Sequence, residues 1–367
     1  MDRTYDVLVV GGGAAGLSAG LALARARRAV LVVDAGAPRN APAGHVHNYL
    51  GREGTPPGEL LADGRAELTG YGGEVMTGRA VLAESLDGQP DGTRFRVELA
   101  DGRSVLARRL LIATGLVDEL PDIAGLAQRW GRDVLHCPYC HGWEVRDQAI
   151  GILATGPMAT HQALLFRQWS PDVTLFQHTA APLGADEREQ LAARGIPVVP
   201  GEVVALEVAD DRLTGVRLRS GEVVPRQAVA VLPRFTARAE LLAPLGLEPT
   251  ELRVDGHVAG SYVPADPTGA TSVPGIWVAG NVADVRAGVI NAAAAGLNVA
   301  AAVNADLVAE DTRRAVAEHR RGAGSSAVPA GTPAGSSLTE SSAAEPFSAE
   351  LERELSERVL GDRRHGW

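Results

Sequence analysis

Three glycines at positions 11, 13 and 16 constrain this chain more than any other feature. They follow an apolar run over residues 5–10 and open an Ala- and Leu-rich, proline-free stretch over residues 14–28. A second apolar run over residues 29–33 then ends at Asp34. Strand, glycine turn, helix, strand and acid in this order predict a βαβ unit built for a dinucleotide. Gly11 permits the tight turn, Gly13 lets the backbone approach a pyrophosphate, and Gly16 allows close packing of helix and strand. The helix start at Ala14 and Ala15 offers free N–H groups to phosphate oxygens, and Asp34 is placed to accept from a ribose hydroxyl. By itself the turn does not separate FAD from NAD.

The 367 residues are enough for two domains, and a hydrophobic share of 45% is ordinary for buried globular cores. A net charge of -10 argues against nucleic acid, since phosphate binding needs a basic surface. The chain contains no Lys, which excludes Schiff-base chemistry. The longest apolar runs, such as 7–10 and 29–33, are too short to span a bilayer. No basic, apolar, small-residue leader precedes the first strand. A cytoplasmic protein with no membrane partner is expected.

The only 2 cysteines stand together in His136-Cys137-Pro138-Tyr139-Cys140-His141. Two cysteines with two residues between them close a small disulfide loop and reopen it without refolding, so one thiolate can attack a substrate sulfur and the other resolve the mixed disulfide. A neighbouring imidazole suits proton movement near neutrality, and His136 and His141 bracket the pair. Zinc is the competing reading. Ligands at adjacent positions would have difficulty closing a tetrahedron, and no second C-x-x-C exists, so no metal is expected.

Two later segments bear on the cofactor. Leu111-Ile112-Ala113-Thr114-Gly115 and Gly275-Ile276-Trp277-Val278-Ala279-Gly280-Asn281 resemble the two later FAD signatures of two-domain flavin disulfide reductases. The whole order over about residues 4–312 resembles the thioredoxin reductase family of FAD-dependent pyridine nucleotide-disulfide oxidoreductases. The resemblance implies an α/β fold with two Rossmann-like domains: a discontinuous FAD domain, residues 1–117 and 234–312, interrupted by an NAD(P)H-like domain, residues 118–233, that carries the redox pair. It implies FAD contacts at Gly11, Gly13, Ala14, Ala15, Gly16, Asp34, Thr114, Gly115 and Gly280, and a homodimer. It also implies that Cys140 is the flavin-proximal sulfur and Cys137 the exchanging one. Where that family has an acid, this chain has Asn281, so the contact to the ribityl chain becomes neutral unless Asp284 contributes. The Arg-Gln pair that begins the family's last helix is Ala287-Gly288 here. Asn48, in a loop with His45 and His47, matches the family loop that passes near the flavin and is a candidate donor to it.

Cys-Pro-Tyr-Cys-His-Gly is most similar to the dithiol oxidases of gliotoxin- and holomycin-type natural products, which use a histidine just after the pair as base. That places His141 ahead of His136. NADPH use is doubtful. After the apolar run at 149–153, where the family has Gly-Gly-Gly-x-x-Ala, this chain has Ala154-Thr155-Gly156-Pro157-Met158-Ala159. No Arg follows Phe176 in Gln177-His178-Thr179-Ala180. Added Cβ atoms crowd such a turn, and Pro157 removes an N–H.

Three functions are therefore weighed. The first is a dithiol oxidase that closes a disulfide in a small molecule through Cys137, Cys140 and FAD, with O2 as acceptor. The second is a reductase of a thioredoxin-like protein, fed by NADPH or another donor. The third is a flavin-binding redox sensor. Beyond the family-like region a flexible linker is expected over residues 313–346, rich in Gly, Ala, Ser, Thr and Pro from Gly322. A short amphipathic helix is expected from Phe347, Leu351, Leu355 and Val359.

Overall fold

The computed structural model describes residues 4–86 and 92–325. The predicted βαβ unit is present as strand Thr4–Val10, helix Ala14–Arg25 and strand Val30–Asp34. Thr4–Val10 is the hub of a seven-stranded sheet. It pairs in parallel with Val30–Asp34 on one side and Ser104–Ile112 on the other, with Val10 opposite both Val33 and Ile112. Ile276–Val278, from far along the chain, adds in parallel beside Ser104–Ile112 with Val278 opposite Ile112. The register therefore brings the carboxyl ends of these four strands to one edge. Each of the three glycine-bearing segments begins where one of them stops, the arrangement that makes the edge of an open α/β sheet a ligand site.

A second, five-stranded sheet runs Val198–Val199, Val173–Phe176, Ile150–Leu153, Ala228–Val231, Val134–Leu135, all parallel. Its three inner strands, Val173–Phe176, Ile150–Leu153 and Ala228–Val231, are buried throughout, as strands covered on both faces of a parallel sheet are. The strand Val134–Leu135 ends at His136, so the redox segment starts at the carboxyl edge of this sheet. All its strands lie in sequence between Ser104–Ile112 and Ile276–Val278. The chain leaves the first sheet through Leu116–Glu119 and returns through Arg234–Ala237, and these two strands pair antiparallel, Asp118 opposite Phe235.

The Asp101-Gly102 turn joins Phe95–Leu99 directly to the long strand Ser104–Ile112. One sequence expectation is corrected. Where a linker was expected from residue 313, the last helix continues, running Val289–Ser325. Residues 312–321 contain neither Gly nor Pro, so nothing there ends a helix before Gly322. The expected helix at 347–359 lies outside the described residues. By length and composition Val289–Arg321 would also suffice to cross a membrane, which apolar runs alone did not reveal. Its Ala292, Val299, Ala300, Val303 and Leu307 are instead buried in the core beside the first sheet. The same helix is tied to that sheet by ion pairs: Arg109, 1% exposed, pairs with Asp306 and Glu310, and Arg108 with Asp6 and Asp311. A buried guanidinium is tolerable only when carboxylates satisfy it.

Candidate functional site

The glycine turn shows why these residue types are required. Gly11 has φ 110°, and a Cβ there would lie 2.3 Å from the Ala113 carbonyl oxygen. A Cβ on Gly16 would lie 1.8 Å from the Gly11 carbonyl oxygen. Gly16 thus locks the helix onto the turn, and the turn onto the neighbouring strand. Gly13 differs: an added Cβ meets nothing within 4 Å, so this position faces open space. That space is a cleft of about 1410 Å³, larger than the roughly 300–1,000 Å³ of ordinary small-ligand pockets. It is lined by residues 11–15, 113–118 and 279–281 together with residues 136–141. The glycine cradle, the two later FAD-type segments and the redox segment therefore open onto one cavity, and the cradle's open face suits a dinucleotide pyrophosphate.

These roles separate by mutation. Gly13→Ala, at φ -78°, is expected to fold normally and lose FAD on gel filtration. Gly16→Ala is expected to lower the stability of the flavin-free protein by about 1–3 kcal/mol through overpacking. Thermal melting without flavin, read beside flavin absorbance after gel filtration, distinguishes the two. Equal melting points for the variants would refute the packing argument.

Around the cradle, Asp34 accepts from the Gly12 N–H at 3.2 Å, so one of its oxygens orders the turn. The Thr114 hydroxyl donates to the Arg238 carbonyl oxygen at 2.5 Å, which leaves its backbone to face the cleft. Gly280, at φ 75°, lies against Ala15, where a Cβ would come within 2.8 Å of the Ala15 methyl. The Asn281 amide donates to the carbonyl oxygens of Asp284 and Ala287 at 3.0 and 2.9 Å. An aspartate there would set a carboxylate against two carbonyl oxygens, which explains the amide. Asp284 accepts from the Arg286 N–H at 3.0 Å, caps its own turn, and is not among the residues lining the cleft.

Arg39, which no sequence signal marked, fills this part of the cleft wall. Its guanidinium grips both Asp118 oxygens at 2.8 and 2.6 Å, donates to Asn281 Oδ1 at 3.2 Å, and lies 5.4 Å from the Phe235 ring centroid. One cation thereby joins the loop after the first βαβ unit to the strand that leads towards the second sheet.

In the redox segment Cys137 and Cys140 are disulfide-bonded. Pro138–His141 forms a single helical turn, begun by proline at the position where a missing N–H costs nothing. The Cys140 N–H donates to Cys137 Sγ at 3.1 Å, a contact that favours negative charge on that sulfur when the pair is reduced. His136 is stacked on Trp130 at 5.7 Å and meets Phe235 edge-on at 5.8 Å. Burial, helped by the charge of Arg39, pushes its pKa down to about 4, so it is a neutral packing ring and a feeble base. His141 is different. Both ring nitrogens are buried with no hydrogen-bond partner among the described residues, and burial lowers its pKa against the opposing charge of Glu144. A neutral imidazole with unpaired nitrogens next to the redox pair has the chemistry a general base requires.

At the place of a second nucleotide turn, the chain makes contacts of its own. Ala154 is fully buried, and the Thr155 hydroxyl donates to the Leu232 carbonyl oxygen at 3.0 Å. The His257 ring lies on Gly156, where a Cβ would come within 3.1 Å of its Nε2. Past Val173–Phe176, Gln177 donates to the Ala180 and Ala181 carbonyl oxygens, and His178 Nδ1 accepts from the Val203 N–H. Polar groups in this loop are spent on the protein itself.

Among known proteins, the family model for pyridine nucleotide-disulphide oxidoreductases matches residues 5–296. Thioredoxin reductase sirT of Leptosphaeria maculans is 30% identical, over 84% of this chain and 95% of that protein. Thioredoxin reductase tcpT of Claviceps purpurea is 32% identical, over 79% and 90%. The crystal structure of HlmI superposes with a TM-score of 0.79 at 48% identity, covering 87% of this chain and 97% of that one.

Proposed function

From a chain that belongs to the pyridine nucleotide-disulphide oxidoreductase family and is an FAD-dependent thiol–disulfide oxidoreductase, we infer a dithiol oxidase that closes a disulfide in a small molecule and delivers the electrons to O2. The observation that carries this reading is the shared cleft. The redox segment with His141 and the glycine cradle line it together, while at the turn where NADPH would deliver electrons His257 lies against Gly156 and the Thr155 hydroxyl is given to the Leu232 carbonyl oxygen. In this reading residues 1–117 and 234–312 form the FAD domain and residues 118–233 the inserted one.

His141 takes a proton from the first substrate thiol. The resulting thiolate attacks Cys137 Sγ, the Cys137–Cys140 bond breaks, and Cys140 leaves as a thiolate. The second substrate thiol, deprotonated in turn, attacks the substrate sulfur of the mixed disulfide and expels Cys137, whose developing charge the Cys140 N–H receives. The substrate leaves as a disulfide and the pair is left reduced. FAD, which residues 11–16, 114–115 and 280–281 would hold, would supply a two-electron acceptor between the reduced pair and O2. The balance is dithiol plus O2 to disulfide plus hydrogen peroxide.

A second reading, reduction of a thioredoxin-like protein, is favoured by the names of the two fungal relatives. One anaerobic experiment separates them. Mixed with dithiothreitol, the flavin is expected to bleach, and admitted air is expected to yield one peroxide per dithiol. Mixed with NADPH, it is expected to stay yellow on the same timescale. Rapid bleaching by NADPH would defeat the oxidase reading in favour of the reductase.

A further inference from the structure

A network next to the redox segment takes no step in the chemistry above, and its Asn48, a candidate donor to the flavin by sequence, directs its amide at the Tyr139 carbonyl oxygen. Glu53 is its centre: Oε1 lies 2.6 Å from His47 Nδ1, and Oε2 accepts the Asn48 N–H at 2.8 Å. One carboxylate thus orders two consecutive residues, and Asn48 is held at φ 58°, in the left-handed region that asparagine tolerates better than most side chains. Both ordered residues then reach towards a part of the chain about ninety positions away. Asn48 Nδ2 donates to the Tyr139 carbonyl oxygen at 2.6 Å, and His47 Nε2 lies 3.4 Å from Glu144 Oε1. Tyr139 sits between the two cysteines, and Glu144 lies three residues past His141.

These contacts matter because of what the redox segment lacks. Its helix is a single turn, Pro138–His141, far too short to be stable alone. Besides its own turn bonds, the Tyr139 ring edge-on to Trp169 and the Gln162 amide on the His136 carbonyl oxygen, the Cys137–Cys140 bond constrains it, and that bond opens in every catalytic cycle. A segment that loses its covalent staple during turnover needs an anchor that does not depend on the sulfurs. We propose that Glu53, His47 and Asn48 form a two-point latch that holds the Cys137–Cys140 segment in the cleft while the disulfide is open. They are positioning residues: they touch no sulfur and act through Tyr139 and Glu144. The value of the latch to turnover rests on the reading of the pair as the route from dithiol to flavin; its effect on the geometry of the reduced segment does not.

The test uses the full-length, flavin-loaded protein and the variants Asn48→Gly and Glu53→Ala. Glycine adopts positive φ freely, so Asn48→Gly removes the amide without backbone strain. Glu53 is largely exposed, so its loss leaves the core intact. After reduction by a phosphine, each variant is expected to show alkylation of the pair by iodoacetamide about fivefold faster than the parent, the change one ordinary hydrogen bond brings to an opening equilibrium. The double variant should be no faster than Glu53→Ala alone, because Glu53 organises both contacts. With dithiothreitol as substrate, the limiting rate of flavin bleaching should fall by a similar factor while the half-saturating concentration holds. Alkylation within twofold of the parent in both variants overturns the latch, whatever the bleaching. Faster alkylation in a protein that dithiothreitol never bleaches keeps the latch and sinks the oxidase.

Discussion

Replacing Cys140 with serine is expected to give a yellow, fully loaded flavoprotein that no dithiol bleaches. On the proposed reading two functions are separate within one cavity. Flavin retention falls to the glycine cradle, where Gly11 and Gly16 are held by contacts that a methyl group could not share, and electron entry falls to the sulfur pair. With serine at position 140 no disulfide exists for a substrate thiolate to open, and a hydroxyl is neither a leaving group nor a two-electron carrier. Dithiol-dependent bleaching should fall by more than about a thousandfold, as expected when one member of a unit that acts together is lost. Cys137→Ser should fail to the same extent, and the double variant should be no worse than either. Anaerobic stopped-flow absorbance, with flavin content measured after gel filtration, is the check. Bleaching within tenfold of the parent in Cys140→Ser would mean that electrons reach the flavin without the pair.

The parts of this site legible in the sequence are those whose physical demand is local. Gly11, Gly13 and Gly16 announce themselves because a turn between strand and helix leaves no room for Cβ at two of them and no shelter for it at the third. The redox pair is legible because its two sulfurs lie within one turn of chain. What stayed hidden depends on residues that meet only in the fold. Arg39 and Asp118 are 79 positions apart, and Asn48 and Tyr139 are 91 apart; no periodicity or motif marks either pairing. The Asn281 amide was visible as a departure from an acid, but its reason, two carbonyl oxygens in the following turn, belongs to loop geometry. The two histidines illustrate the boundary well. Sequence placed both beside the cysteines and ranked them by resemblance alone. Their surroundings supply the physical ground, since His136 is enclosed by Trp130 and Phe235 while His141 keeps both nitrogens unpaired.

That difference leads to the second large effect. His141→Ala is expected to slow dithiol oxidation about a hundredfold near pH 7, at the lower end of what a positioned general base contributes. The pH dependence gives the sharper test, and its sign follows from burial. Desolvation lowers the His141 pKa below the usual value of 6.5, so the neutral, proton-accepting form is already filled at neutral pH. In the parent the rate should hold steady from neutrality into mildly acidic solution and fall only as pH drops through that lowered pKa. In the alanine variant no group takes the thiol proton, so the rate should instead climb with pH as substrate thiols ionise unaided, about tenfold per pH unit below a thiol pKa near 8.5. The deficit therefore widens as pH falls from neutrality towards that lowered pKa and narrows in alkaline solution. His136→Ala, by contrast, should keep the parent's profile, because a ring held down to about 4 and enclosed by Trp130 and Phe235 is too weak and too shut in a base to take the thiol proton. Stopped-flow bleaching from pH 5 to 10 under anaerobic conditions compares the three proteins. A pH profile in His141→Ala parallel to the parent's would remove His141 as the base, and loss of the acidic limb in His136→Ala would transfer the role to its neighbour.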